Sequence, residues 1–270
     1  MARYKKKRAR ELKHDRFRDT TMGILDRLGN LLEGRGRSIL YGIAGVVLAA
    51  LLLWLFLNWR HRKADEARLA LGRAITIATT PVSAASAPET AALSFKTEQE
   101  RAQKAIEEFQ KVAAKYGEPY RTEARYFIAT NLLSVERNKG INELAELTKS
   151  SIKDVTILAK FALAQAKEAD GSYDEAAKLY GELASQNSVI VTPETAKLCL
   201  AKVYQKQGKK KEAADILFNI ADAARKAKDK DGAPLPQSAA AREAAQELQK
   251  LDPERYAQLS PEFPGGPPVF

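Results

Sequence analysis

The chain is nearly empty of the side chains that carry covalent or metal chemistry. One cysteine, Cys199, stands among 270 residues, so no intrachain disulfide can form. It lies between Leu198 and Leu200 in a helical pattern, where a thiol reads as a small core residue, and no histidine is placed to activate it as a nucleophile. The two histidines, His14 and His61, sit on either side of the longest apolar run and cannot join one site. There is no phosphate loop, no nucleophile elbow and no His/Cys spacing of a metal site. Asp170 and Asp174 flank Gly171, but two carboxylates do not make a calcium loop. Carboxylates such as Glu107 and Glu108 lie beside lysines, as on a solvated helix face. These absences argue against an enzyme and imply no cofactor. Sustained strand alternation is missing too, so the soluble part is expected to be all-α.

The apolar run is the first positive feature. Ile39–Leu57, ILYGIAGVVLAALLLWLFL, is 19 residues long and carries no charge. As a helix it reaches about 28 Å, close to the hydrocarbon thickness of a bilayer. Tyr41, Trp54 and Trp59 sit near its ends, where amphipathic rings favour the interface. A cleaved signal peptide is the rival, but its apolar region is shorter and a small-residue cleavage site should follow. Here NWRHRK follows instead. A transmembrane helix over residues 38–59 is the expectation.

Charge gives an orientation. The tail Met1–Arg37 holds 12 Lys/Arg and 5 Asp/Glu, a net +7, which leaves only +3 of the total +10 for the remainder. The excess therefore reads as topological, not as a nucleic-acid footprint: short basic tails stay cytoplasmic while long domains translocate regardless of charge. The tail (1–37) is expected in the cytoplasm, its start (ARYKKKRAR) at anionic lipid headgroups, with a short amphipathic helix after it that lies on lipid or docks a partner. The residues after the span are expected outside, in a periplasm where one exists. The opposite topology is the alternative.

Beyond the span, a helical pattern resumes without a breaker at RKADEARLALGRAITIA, and a Pro/Ser/Ala linker occupies 79–92. Helices then alternate with short breaks at YGEP, DGS, VTP and QGK. ARYFIATNL, AKFALAQAK and AKLCLAKVY begin at Ala124, Ala159 and Ala196, and each has a second alanine five positions on. Small residues at that spacing let a second helix approach closely. The partner helices answer 12 residues later: Ala164 with Ala176, Ala201 with Ala213, with Gly171 and Gly208 in the turns. The copy at Ala129 is degenerate by this count, since Ile141 stands where alanine is wanted. An upstream copy, ARLALGRAI, places Gly72 at the small position and Ala105 on its second helix, with 21 residues inserted in the turn. A helical hairpin recurring every 34 or so residues predicts a solenoid over 60–227. A C-terminal helix and an irregular Pro/Gly-rich end are expected over 228–270.

Leu200–Ala201, Tyr204, Gly208 and Ala213 resemble the tetratricopeptide repeat. The order of basic tail, single span and repeats, with the first repeat continuous with the span, resembles the family of ancillary Sec-translocon subunits, though this tail is longer and more basic than theirs. That resemblance implies a bacterial inner-membrane protein whose exterior domain meets translocon subunits, periplasmic chaperones or secretory clients. The rival reading is a scaffold for peptidoglycan or outer-membrane complex assembly. In tetratricopeptide arrays the first helix of each pair lines a peptide-binding groove. The positions concerned are Tyr126, Phe161 and Leu198, apolar in every copy, and Thr130, Gln165 and Lys202, polar in every copy. The competing expectation is that the helix near Gln237–Leu251 folds back and covers this face.

Overall fold

The computed structural model describes residues 36–82 and 94–261. The basic tail with its amphipathic helix, most of the expected linker and the Pro/Gly-rich end fall largely on residues 1–35, 83–93 and 262–270, outside the described residues. Among the described residues the architecture is all-α, with isolated bridges at Val82–Phe95 and Lys228–Pro234 and no strand. The helices are α1 (Gly36–Thr79), α2 (Glu98–Lys115), α3 (Tyr120–Val135), α4 (Arg137–Leu147), α5 (Lys153–Ala169), α6 (Tyr173–Ala184), α7 (Pro193–Lys206), α8 (Lys210–Lys226), α9 (Ala239–Leu251) and the short α10 (Pro253–Tyr256). By internal contacts the chain divides between Asp65 and Glu66.

In the first unit, α1 is long and apolar enough to cross a membrane, with a mean hydropathy of 2.1 in its most apolar window and no part of that window buried. From Glu66 onward α1 belongs to the second unit, where its last turns pair with α2. Ala67 and Ala74 join Ala105, Phe109 and Val112 in one buried cluster, and Arg101 donates to the Thr80 carbonyl at 3.3 Å. This corrects the register expected for the upstream copy. Gly72 is exposed with open space around it, and the packing stripe is Ala67 and Ala74, seven residues apart.

The remaining hairpins are α3/α4, α5/α6 and α7/α8, each helix packing against the next. The alanine ladder is fully buried: Ala124, Ala129, Ala159, Ala164, Ala176, Ala196, Ala201 and Ala213. Without side chains beyond Cβ, these positions let helix backbones approach, while Tyr180, Leu183 and Leu217 fill the grooves between. Gly171 and Gly208 take φ of +74° and +77°, the left-handed conformation that ends α5 and α7 at no steric cost.

The hairpin at Ala129 is not degenerate once its turn is seen. Glu136 alone separates α3 from α4, so the second helix starts early and every later position moves up by one. Gly140, 11 residues after Ala129, then takes the contact that Ile141 was expected to fail. A Cβ on Gly140 would lie 2.8 Å from the Ala129 carbonyl oxygen and 2.9 Å from the Leu133 nitrogen. Leu144 and Leu147 follow at the same offsets as Tyr180 and Leu183, equally buried.

The array closes on α9. Ala241, Ala244, Ala245 and Leu248 pack with Leu198, Ala201, Leu217 and Ile220. The chain then folds back on α8: Ser260 donates through Oγ to Asp222 (2.8 Å), and Arg225 donates to the Ser260 carbonyl (2.9 Å).

Candidate protein-binding surface

The six candidate residues lie on α3, α5 and α7, the first helices of three successive hairpins. Thr192 caps α7 by accepting from the Thr195 amide, and Pro193 opens that helix; α3 and α5 start without a side-chain cap. Their position relies on packing, since each helix is held by its alanine contacts.

Tyr126, Phe161 and Leu198 enter three separate core clusters and do not form one open stripe. Tyr126 is half-buried with its ring edge-on to Phe127 at 5.3 Å. Burial raises its phenol pKa. Phe161 is half-buried and meets Tyr180 edge-on at 5.9 Å. Leu198 is 4% exposed and lies in the cluster that α9 completes, so the C-terminal helix does cover this end. The polar row remains nearer solvent. Thr130 donates to the Phe127 carbonyl at 3.0 Å, Gln165 is exposed, and Lys202 is bound to Glu243 of α9. That hydrogen bond raises the pKa of Lys202.

Two groupings were missed in the sequence. The first joins hairpins: Glu168 of α5 accepts from the Tyr180 hydroxyl (3.0 Å) and from Lys206 of α7 (2.8 Å). Cys199 lies beside it. Burial, then the Glu168 charge, pushes this thiol above its ordinary range, which disfavours the reactive thiolate. Glu168 sits four residues after Ala164 and 12 before Tyr180, an offset that could have revealed the pair. The second is an acidic end: burial, then Asp154, raises the pKa of Glu123, with Glu118 adding to it and Arg68 opposing. No sequence signal marks this grouping, because Asp154 reaches Glu123 from another hairpin.

A recess of ≈ 320 Å³ lies at two turns, lined by Gly171, Tyr173, Asp174, Gln207 and Lys209. Gln207 donates there to Asp174 at 2.8 Å. Among the described residues no group of three or more His, Cys, Asp or Glu side chains is placed to hold a metal ion. What the arrangement offers chemically is a rigid, mixed polar and aromatic surface. Comparison with protein-family models, with curated proteins and with solved structures found no match.

Proposed function

We propose that the chain is a membrane-anchored, tetratricopeptide-like scaffold that binds proteins at the outer face of a bacterial inner membrane. In this reading the tail is cytoplasmic and the hairpin array is periplasmic. The array would assist secretory or envelope proteins near the Sec translocon, through contacts with translocon subunits, chaperones or the clients themselves. The observation that carries the reading is the joining, in one helix, of a segment apolar enough to span a bilayer to an array of helical hairpins. Stacked hairpins hold side chains from successive helices in fixed register, which suits binding an extended partner chain. The exposed Gln165, flanked by Phe161, marks where such a chain would meet α5.

Photo-crosslinking from Gln165 in living cells, with captured partners identified by mass spectrometry, tests the function. Translocon subunits, periplasmic chaperones or emerging secretory chains are expected; cell-wall or outer-membrane assembly proteins would overturn the translocon assignment. Orientation is tested separately with Val189→Cys in a Cys199→Ala background, since Val189 is 95% exposed. Labelling by an impermeant thiol reagent in outer-membrane-permeabilised cells is expected, and protection would overturn the topology.

A further inference from the structure

The segment where α1 leaves its apolar run carries a feature that protein binding does not use. Trp59, Arg60, His61, Arg62 and Lys63 are consecutive and all exposed. Helical steps of about 100° place Arg60, Arg62 and Lys63 within an arc of about 160°, on one side of the helix. None of the three has an ion pair with a described residue. Lys63 instead lies over the Trp59 ring, 5.9 Å from its centroid. The three cations begin about 4.5 Å and end about 9 Å beyond Leu57, which is the depth of a headgroup layer.

We propose that Arg60, Arg62 and Lys63 form a basic cluster that binds the phosphates of anionic phospholipids in the leaflet where α1 emerges, with Trp59 holding the cluster at that depth. The inference rests on α1 spanning the membrane. Depth favours lipid over a protein partner: the three cations sit about 4.5–9 Å beyond the apolar run, where headgroup phosphates lie. Guanidinium and ammonium groups left without carboxylates match phosphate oxygens, the arginines in a bidentate fork. The cluster is distinct from the basic tail, which precedes the span.

The test is tryptophan quenching by brominated lipid, with the full-length chain in vesicles of phosphatidylcholine. One set carries one-tenth brominated phosphatidylglycerol and the other one-tenth brominated phosphatidylcholine. In a Trp54→Phe background, Trp59 is expected to be quenched more strongly by the anionic lipid, reflecting a local enrichment of about fivefold per cation. The preference should vanish in the Arg60→Gln/Arg62→Gln/Lys63→Gln variant. Equal quenching by both lipids, or a preference that survives the triple substitution, overturns lipid binding by this cluster. Trp54, read in a Trp59→Phe background, separates the two premises. Quenching of Trp54 by both lipids is expected of a span, and its absence would overturn the span and the lipid-binding cluster with it.

Discussion

Gly140 is where the packing account can be broken most directly. It lies inside α4, where alanine is preferred over glycine by up to about 1 kcal/mol. Against that, a Cβ would sit 2.8 Å from the Ala129 oxygen and 2.9 Å from the Leu133 nitrogen. Both atoms are backbone of α3, so neither can rotate away, and overpacking of this kind costs about 1–3 kcal/mol. With the clash at the upper end of that range, Gly140→Ala should lose about 2 kcal/mol. For the second unit, Glu66–Phe270, of roughly 200 residues, that is a fall of about 4–8 °C in Tm. Gly181 supplies the control, being helical in α6 with nothing within 4 Å of its would-be Cβ. Gly181→Ala should raise Tm by about 1–4 °C through the same propensity term without the clash. Thermal melts of the full chain in detergent, followed by circular dichroism at 222 nm, read both. A Gly140→Ala protein as stable as the parent would refute the one-residue shift. Ile141→Ala checks it from the other side. If Ile141 were the contact residue, truncation would relieve the helix pair; as a half-buried side chain on the cluster around Leu144, its loss should destabilise by about 1–3 kcal/mol.

The other expected outcomes are simpler to state. Gly171→Ala and Gly208→Ala, both at φ above +70°, should each cost about 1–2 kcal/mol, seen as lower melting temperatures; no loss would mean the turns relax. Cys199, its thiol held protonated by burial, should react with a disulfide reagent at neutral pH at least about tenfold more slowly than in the urea-unfolded chain; equal rates would show the thiol is open. Glu123 has a folded pKa above its unfolded value, so its carboxylate lowers stability at neutral pH, and stability should recover as pH falls through the folded pKa. Glu123→Gln should therefore be at least as stable as the parent at pH 7 and lose that advantage near pH 4. An advantage that persists below pH 4 would assign the effect to packing instead of charge.

Much of the fold can be read from spacing alone, because a helix pair that touches through alanines repeats its small residues at fixed offsets. Ala164 with Ala176 and Ala201 with Ala213, and the glycines that end α5 and α7, all sit where the offsets put them. The method fails where a connection changes length. One residue fewer at Glu136 moves Gly140 into the contact, and a fixed count lands on Ile141. Sliding the pattern by one would have aligned Gly140 and Leu144 with Ala176 and Tyr180. At α1 the offsets fail for another reason: Gly72 matches in sequence, but the helix presents Ala67 and Ala74, a stripe chosen by packing against Phe109. The candidate surface was harder to read. Tyr126, Phe161 and Leu198 share one register, yet how far each is exposed depends on which helix of the array packs over it, and that is not a local property.

That dependence narrows where a partner chain would bind under the proposed function. At the α7 end, Leu198 is sealed under α9 and Lys202 is held by Glu243. Opening that end would mean lifting Ala241, Ala244, Ala245 and Leu248 out of their cluster. Burial of a leucine alone is worth about 1.5–3 kcal/mol, and each alanine methyl adds to it. The fold-back of Ser260 onto Asp222 and Arg225 would have to break as well, since that segment comes directly after α9 and α10. A peptide that gained one side-chain contact at Leu198 could not offset such a loss. The face of α3 and α5 carries no such lid among the described residues: Gln165 is exposed, and Tyr126, Thr130 and Phe161 are each only half-buried. Under the proposed function a partner chain would therefore meet the middle hairpins, with α9 as the end-cap that stacked hairpins require. A crosslinker at Gln165 would sample the surface open to a proposed client, whereas one at Leu198 would report mainly the chain's own C-terminal helix.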